Sequence, residues 1–213
     1  MIKLESFEKP FLIDLMKVTS DSKNQYDLPF YFMGQAIKMN FKYETPSSLS
    51  PLGDDNGYQH LYLEGKGKPT SDTTQFSWLG EGKYYTLTTA TDADDEILLT
   101  RIGANDPDFN LRRDAAVMLR RKDSKNTTFA SIIEPHGAYS PVSELSENSN
   151  SNISELKIIY DDANYTAVSI KDLKGNMSVF ILANKEASMS KSHKLKVDGK
   201  LYRWTGAYHF KGS

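Results

Sequence analysis

The chain has 213 residues, of which 38% are hydrophobic and 25% are charged, and its formal net charge is -2. This balance suits a globular domain with a sizeable core, and it argues against a general electrostatic attraction to nucleic acid or to an anionic membrane. The absence of cysteine excludes disulfides and thiolate metal sites.

The first ten residues, MIKLESFEKP, carry four charges, at Lys3, Glu5, Glu8 and Lys9. They therefore lack the unbroken apolar core of a signal peptide. No apolar run in the sequence approaches the length of a membrane span. From the sequence we expect neither a membrane partner nor an export signal, and we expect that this start is not the native one.

Apolar residues recur at every second position through much of the chain, as at Ile37, Met39, Phe41 and Tyr43, and this period is typical of strands. The predicted strands are Phe11–Thr19, Pro29–Met33, Ala36–Tyr43, His60–Glu64, Thr74–Trp78, Tyr84–Thr91, Glu96–Ile102, Val117–Arg121, Thr127–Ile133, Leu156–Tyr160, Tyr165–Lys171, Met177–Ala183, His193–Val197 and Leu201–Trp204.

Polar segments between these strands predict turns and loops, namely SDSKNQ (20–25), TPSSLSPLGDDNG (45–57), EPHG (134–137) and SENSNSN (146–152). Asp114–Arg121 fits a helix and a strand equally well. About a dozen strands without a convincing amphipathic helix predict an all-β fold, an antiparallel two-sheet β-sandwich, with residues 1–213 as a single domain.

The alternating pattern also predicts the core. Both tryptophans are expected to be largely buried, and four further side chains are expected inside the sandwich. The predicted core residues are Trp78, Trp204, Phe76, Phe129, Ile132 and Phe180.

The segment RIGANDPDFNLRRDAAVMLRRKD (101–123) holds five arginines and a lysine. One hypothesis is a bidentate arginine grip on a carboxylate or sulfate ligand. The other, which we favour, is a set of surface charges paired with nearby aspartates. Those predicted partners are Asp106, Asp108, Asp114 and Asp123. The acidic run DADDE (92–96) is interpreted as a solvated turn.

Two short motifs are candidates for sugar contacts. EPHGAY (134–139) places an acid, an imidazole and a phenol within six residues, and Glu134 and His136 could contact a sugar or serve as acid and base. The other interpretation is a plain turn in which His136 bonds the backbone. In QYDLPFY (25–31), Tyr26 stands before a bend at Pro29, and its polar side chains could face a cleft.

The sequence predicts no metal site. The four histidines are His60, His136, His193 and His209, and none lies within the short spacing of a histidine zinc motif. No EF-hand spacing, phosphate-binding glycine loop or Ser-His-Asp set is present.

Five segments, taken in order and spacing, resemble the C-terminal part of oligoalginate lyases, the family-17 polysaccharide lyases of heparinase II/III-like architecture. They are KPFLIDLMKVTSDSKNQYDLPFYFMGQ (9–35), GYQHLYLEGKGK (57–68), QFSWLGEGKYYTLTT (75–89), LLTRIGANDPDFNLR (98–112) and FASIIEPHGAYSPVSE (129–144). The resemblance covers nearly the whole chain, from Phe11 to Trp204.

The resemblance implies a parent enzyme with an N-terminal α/α toroid, a central β region and a C-terminal β-sandwich. Such enzymes cleave oligoalginate by β-elimination, and they are typically exported to the periplasm or beyond. In the family an Asn-His pair and a tyrosine on the toroid, with a tyrosine and a histidine of the β region, transfer the protons. A structural zinc is held by two histidines and an aspartate of that same region.

This chain contains none of those segments. The resemblance therefore implies no catalytic residue and no metal or other cofactor in this chain, with zinc expected only in the part upstream. The substrate-binding residues predicted for the chain are Glu134, His136, Glu144 and Tyr26. The expected partners are oligoalginate or another acidic polysaccharide, the toroid and a second copy of the chain. A uronate-binding module and a purely structural domain are the alternatives.

Overall fold

The computed structural model of the chain describes residues 10–103, 114–186 and 188–212. Across those ranges the regular elements are strands, apart from one 3₁₀ turn at Tyr58–His60, and none of them is a helix long and apolar enough to cross a membrane. The strands are β1 (Leu12–Phe32), β2 (Gln35–Met39), β3 (Tyr43–Glu44), β4 (Leu61–Gly67), β5 (Thr73–Gly80), β6 (Lys83–Ala90), β7 (Glu96–Ile102), β8 (Ala115–Ser140), β9 (Leu145–Glu147), β10 (Ile153–Asp161), β11 (Tyr165–Asp172), β12 (Met177–Ala183), β13 (Ser192–Val197), β14 (Lys200–Thr205) and β15 (Tyr208–Lys211).

The strands form three antiparallel sheets. The large sheet has the order β2-β5-β6-β8-β7-β4-β3, and β1 and β9 also pair with β8. The second sheet has the order β10-β11-β12-β15, and β13 and β14 form a separate hairpin sheet. The predicted antiparallel all-β sandwich is confirmed, and the hairpin sheet is an addition to the two sheets that were expected.

Two long strands replace four of the predicted short ones. β1 pairs with β8 from Leu12 opposite Ile133 to Phe32 opposite Ala115. SDSKNQ, predicted as a turn, lies inside β1, where the pairing register shifts on either side of Asn24. The prediction failed because bulges let a polar segment stay in a ladder while its side chains face solvent. Asp114–Arg121, left open between helix and strand, is strand from Ala115 onward.

Three buried clusters define the layers. One cluster consists only of residues from the large sheet and the loop before β3, including Phe76, Leu87 and Phe129, so that sheet curls around its own side chains. The second joins Ala130 and Ile132 of the large sheet to residues of β10 and β11. The third packs the hairpin sheet on the other face of the second sheet. Full burial of one such side chain contributes roughly 1.5–3 kcal/mol.

The predicted core is largely confirmed. Phe76, Phe129 and Ile132 are at most 2% exposed, and Trp204 is 9% exposed. Trp78 and Phe180 are only half-buried. Trp78 stacks on Tyr85 of the neighbouring strand β6, with ring centroids 5.3 Å apart, so Tyr85 covers part of its ring.

The arginines of the described part of segment 101–123 are bound internally. Arg120 makes two hydrogen bonds to Asp27, at 2.8 and 2.7 Å, and Arg121 makes two to Asp95, at 2.8 and 2.7 Å. Arg101 is paired with Glu64 in the same bidentate way. For these three arginines the predicted pairing with carboxylates is found, but their partners are not the predicted aspartates.

The partners of the three described arginines are 26 to 93 positions away in sequence, Asp27 and Glu64 on strands β1 and β4 and Asp95 immediately before β7. Burial alone would lower the pKa of the Arg121 guanidinium, but the hydrogen bonds that it donates to Asp95 raise that pKa above its ordinary value. Asp95 itself is 1% exposed, so DADDE is only in part the solvated turn that was predicted. Asp106, Asp108, Arg112 and Arg113 lie outside the described residues.

Candidate functional site

EPHG is strand and not loop. Residues 131–138 of β8 pair with β6, and the register shifts between Tyr84 opposite Gly137 and Tyr85 opposite Pro135. His136 is thus the extra residue of a bulge. Glu134 and His136 are 2% and 4% exposed. The predicted loop position was wrong because Pro and Gly also fit a bulged strand, where one ladder bond is already lost.

Glu134 is enclosed by neutral hydrogen-bond donors. The Ser151 hydroxyl donates to Oε2, the Asn152 side-chain amide donates to Oε1 at 2.9 Å, and the Asn152 backbone N–H lies 3.1 Å from Oε2. A buried carboxylate is tolerated only when its oxygens are satisfied in this way. Glu134 therefore fixes the end of the SENSNSN loop (146–152) against β8.

His136 fixes the start of the same loop. Its Nδ1 lies 2.6 Å from the carbonyl oxygen of Asn148, so Nδ1 carries a proton and donates. Its Nε2 lies 2.9 Å from Thr86 Oγ1, whose oxygen lies 2.7 Å from Ser77 Oγ. A neutral imidazole satisfies the whole chain, with Ser77 donating to Thr86 and Thr86 donating to Nε2.

Gly137 completes the motif by letting the loop approach. A Cβ atom built on Gly137 would lie 2.2 Å from the carbonyl oxygens of both Glu147 and Asn148. Any larger residue would push the loop away from the strand. Glu134, His136 and Gly137, which we call the EPHG clamp, together hold segment 147–152 in one place.

The segment held by the clamp forms one wall of an open cleft of about 530 Å³, within the size range of small-molecule sites. We call it the polar cleft. Most of its lining side chains carry amides or hydroxyls, none is acidic, and one is cationic. Its lining residues are Lys38, Met39, Asn40, Gln75, Ser77, Asn150, Ser151, Ile153, Ser154 and Leu173.

The clamp and the polar cleft are directly connected. Ser151, which bonds Glu134, and Ser77, which ends the hydrogen-bonded chain from His136, both line the cleft. Glu134 therefore lies one side chain behind the cleft surface, and His136 lies two side chains behind it, beyond Thr86 and Ser77. Direct contact of either group with a sugar stays a prediction, and their burial favours a positioning role instead.

Tyr26 and Asp27 lie on opposite faces of β1. Tyr26 is half-buried and packs against the cluster inside the large sheet. Asp27 lines a separate pocket of about 320 Å³ with Tyr31, Tyr58 and His60. Substrate contact by Tyr26 stays a prediction, and this inward placement disfavours it, since the side chains of QYDLPFY that reach a pocket are the alternate ones.

In this pocket the hydroxyl of Tyr58 is held by a short hydrogen bond. The Tyr58 hydroxyl donates to Asp27 Oδ2 at 2.6 Å, beside the Arg120 pair. Burial, followed by the hydrogen bond to Asp27, raises the pKa of Tyr58 to about 12. Tyr58 is therefore a neutral donor at physiological pH, and Asp27 has its oxygens occupied.

Glu144, the remaining predicted contact, is exposed. It ends the four-residue turn after β8 with φ of 55°, a left-handed conformation rare for residues other than glycine. It is thus free to reach a partner outside this chain, and its predicted role stays a prediction. Among the described residues no three His, Asp or Glu side chains are grouped so as to hold a metal ion.

Fold and site together define an all-β sandwich domain with a clamped polar cleft. No family model matches the chain. It is 36% identical over 200 residues, 93% of its length, to a protein named alginate lyase from Stenotrophomonas maltophilia. It is 29% identical over 210 residues, 97% of its length, to a protein named exo-oligoalginate lyase from Saccharophagus degradans. The chain is thus homologous to part of these lyases, as its motifs predicted.

The chain spans 27% and 28% of the length of these two relatives. The match is consistent with one C-terminal part of a larger protein. The residues of the polar cleft itself were not predicted from the sequence. SENSNSN was interpreted as a polar loop, and nothing in its composition shows that Asn148, Ser151 and Asn152 are held by residues of the clamp that lie 12 to 18 positions earlier.

Proposed function

We propose that the chain is the C-terminal β-sandwich part of an alginate or oligoalginate lyase, a protein that cleaves uronate polymers by β-elimination. The observation that carries the proposal is the similarity of nearly the whole chain to about a quarter of two proteins with those names. The substrate is accordingly an acidic polysaccharide, and the residues 1–213 act as one domain.

β-Elimination sets the chemical requirements. The C5 proton of a uronate becomes removable when donors or a cation stabilise the charge that develops on the neighbouring carboxylate. A base takes that proton, and an acid protonates the departing O4. Such groups must reach the sugar ring within hydrogen-bond distance.

The described part of this chain offers an acid and an imidazole in EPHG, but both are enclosed and bonded to neighbours. This enclosure favours an accessory role for the chain. In that role the chain is inert alone and shapes a cleft that it forms with other parts of the protein. We propose an α/α toroid as that partner, a homodimer as a further assembly, and export of the whole enzyme.

The test is a lyase assay on the purified chain. Unsaturated uronate absorbs in the ultraviolet, so its formation from alginate oligosaccharides is followed directly. We expect no turnover by the chain and ready turnover by the Stenotrophomonas relative measured in parallel. Turnover by the chain alone, reproduced in independent preparations, would show that it carries its own catalytic groups.

A second candidate function is a uronate-binding domain. It is favoured by one specific observation, the cationic and hydroxyl-rich polar cleft, which does not depend on catalysis. A purely structural domain would show neither binding nor turnover.

A further inference from the structure

The polar cleft has a charge that nothing nearby balances. Lys38 Nζ donates to the side-chain oxygen of Asn150 at 2.9 Å, across the mouth of the cleft. Lys38 is in no ion pair within the described ranges, and the cleft lining holds no carboxylate. An ammonium group has three protons to donate, so two remain available for an incoming anion.

Neutral polar groups surround this cation. Gln75 lines the cleft and uses its amide nitrogen on Thr88 and on the carbonyl of Ile153, while its amide oxygen has no hydrogen bond within the described part. The amide nitrogen of Asn150 is likewise without a partner there, since only its oxygen is engaged, by Lys38. One acceptor and one donor are thus presented beside the cation, as the hydroxyls of a sugar require.

The cleft also has an apolar side. Two apolar side chains line it, Leu173, which is 65% exposed, and Met39, which is half-buried. A pyranose ring carries C–H groups on its faces and hydroxyls at its edge, so it needs this combination of surfaces. A uronate adds one carboxylate, which would supply the anionic partner that the Lys38 ammonium group lacks among the described residues.

The EPHG clamp holds the loop at the cleft in one conformation. Asn150 and Ser151 belong to a loop that would otherwise be free to move, and Glu134 and His136 fix residues on either side of them. A binding loop fixed before its ligand arrives loses less conformational entropy on binding.

We propose that the polar cleft is a binding site for one uronate residue of an acidic saccharide, with Lys38 as the carboxylate partner, Asn150 and Gln75 as hydroxyl partners, and the EPHG clamp as the positioning element. The choice of a uronate rests on the proposed function. The site itself rests on the residues of the cleft, and it is separate from any proton-transfer centre elsewhere in the enzyme.

The experiment is a calorimetric titration of the chain with a saturated tetrasaccharide of alginate, which has no unsaturated end and reports binding without turnover. A neutral gluco-oligosaccharide of the same length is the ligand control. We expect binding of the uronate only, weakening as ionic strength rises, because the contact is partly exposed.

The variant Lys38→Met is expected to raise the Kd about tenfold, as loss of a charge-assisted hydrogen bond does. Lys194→Met removes the same charge from an exposed position on β13 and is the matched control, expected to leave the Kd unchanged. Asn150→Ala is expected to weaken binding severalfold. All three positions are exposed, and thermal melting checks that the variants remain folded.

Equal affinity of Lys38→Met and the native chain would overturn the proposal, as would equal affinity for the neutral oligosaccharide. Absence of measurable binding would overturn it too. The lyase assay on the chain and the Stenotrophomonas relative tests the proposed function independently of this result. If the Stenotrophomonas relative cleaves alginate and this chain neither cleaves nor binds it, the uronate site is refuted and the proposed function stands.

Discussion

Single buried polar residues decide the local geometry of this domain. In the EPHG clamp an acid and a histidine bond residues of a neighbouring loop. Glu134 and His136 each bond partners of one loop, and their burial favours a positioning role over direct contact with a sugar. Their chemistry is used to hold neighbours in place.

Replacement of Glu134 by Ala should destabilise the domain. The Ser151 hydroxyl and two donors of Asn152 would lose their acceptor inside the protein, at a cost of about 2–4 kcal/mol. The free energy of unfolding in urea is the measurement. Glu147→Ala, at an exposed carboxylate on the same loop, is the control. If the two variants lose equal stability, the network around Glu134 contributes nothing.

At the scale of elements, the close approach of β8 and β9 depends on the missing side chain of Gly137. Gly137→Ala would place a Cβ atom within 2.2 Å of two carbonyl oxygens, so the loop must move. We expect a loss of about 2–4 kcal/mol in unfolding free energy. Gly175→Ala is the comparison, because that turn has open space around it and only a φ of 87° to strain an alanine, which costs about 1 kcal/mol. A smaller effect at Gly137 than at Gly175 would contradict the clamp.

Asp161 links the large sheet to the second sheet by hydrogen bonds. Its carboxylate accepts hydrogen bonds from Lys17 at 2.6 Å, Thr128 at 2.7 Å and Thr166 at 2.7 Å, so β1, β8 and β11 meet at one group. Burial alone would raise the pKa of Asp161, but the hydrogen bonds from Lys17, Thr166 and Thr128 lower it below its ordinary value.

This lowered pKa has a definite effect on acid stability. Because the folded state holds the Asp161 proton less tightly than the unfolded state, the contribution is present above the ordinary pKa of an aspartate, about 3.9, and is lost as the pH falls toward the lowered folded value. Asp161→Asn should therefore destabilise the domain by about 1–2 kcal/mol at neutral pH.

Unfolding in urea at pH 7 and at pH 3 checks this prediction. The difference between native chain and Asp161→Asn should shrink at the lower pH, while the exposed Asp21→Asn should match the native chain at both. A difference that stays constant between pH 7 and pH 3 would mean that ionisation of Asp161 does not stabilise the fold.

For the whole molecule, period-two alternation predicted the all-β class, the strand positions and most of the core. It did not predict that β1 and β8 run unbroken past polar bulges, because a bulge has no fixed composition. It did not predict the polar cleft, whose cation and loop are 112 positions apart in Lys38 and Asn150. Such a site exists only in the folded chain, which brings these two distant positions together. The arginine pairs were missed for the same reason.

We propose above that this chain is a supporting part of an alginate lyase. This claim is tested most directly by the initial rate of alginate cleavage by the Stenotrophomonas relative, measured whole, without the segment that matches this chain, and with this chain in its place. We predict that removal abolishes most of the activity, that grafting the chain restores a substantial share of it, and that the chain alone has none. A truncated relative as active as the whole protein would contradict the claim.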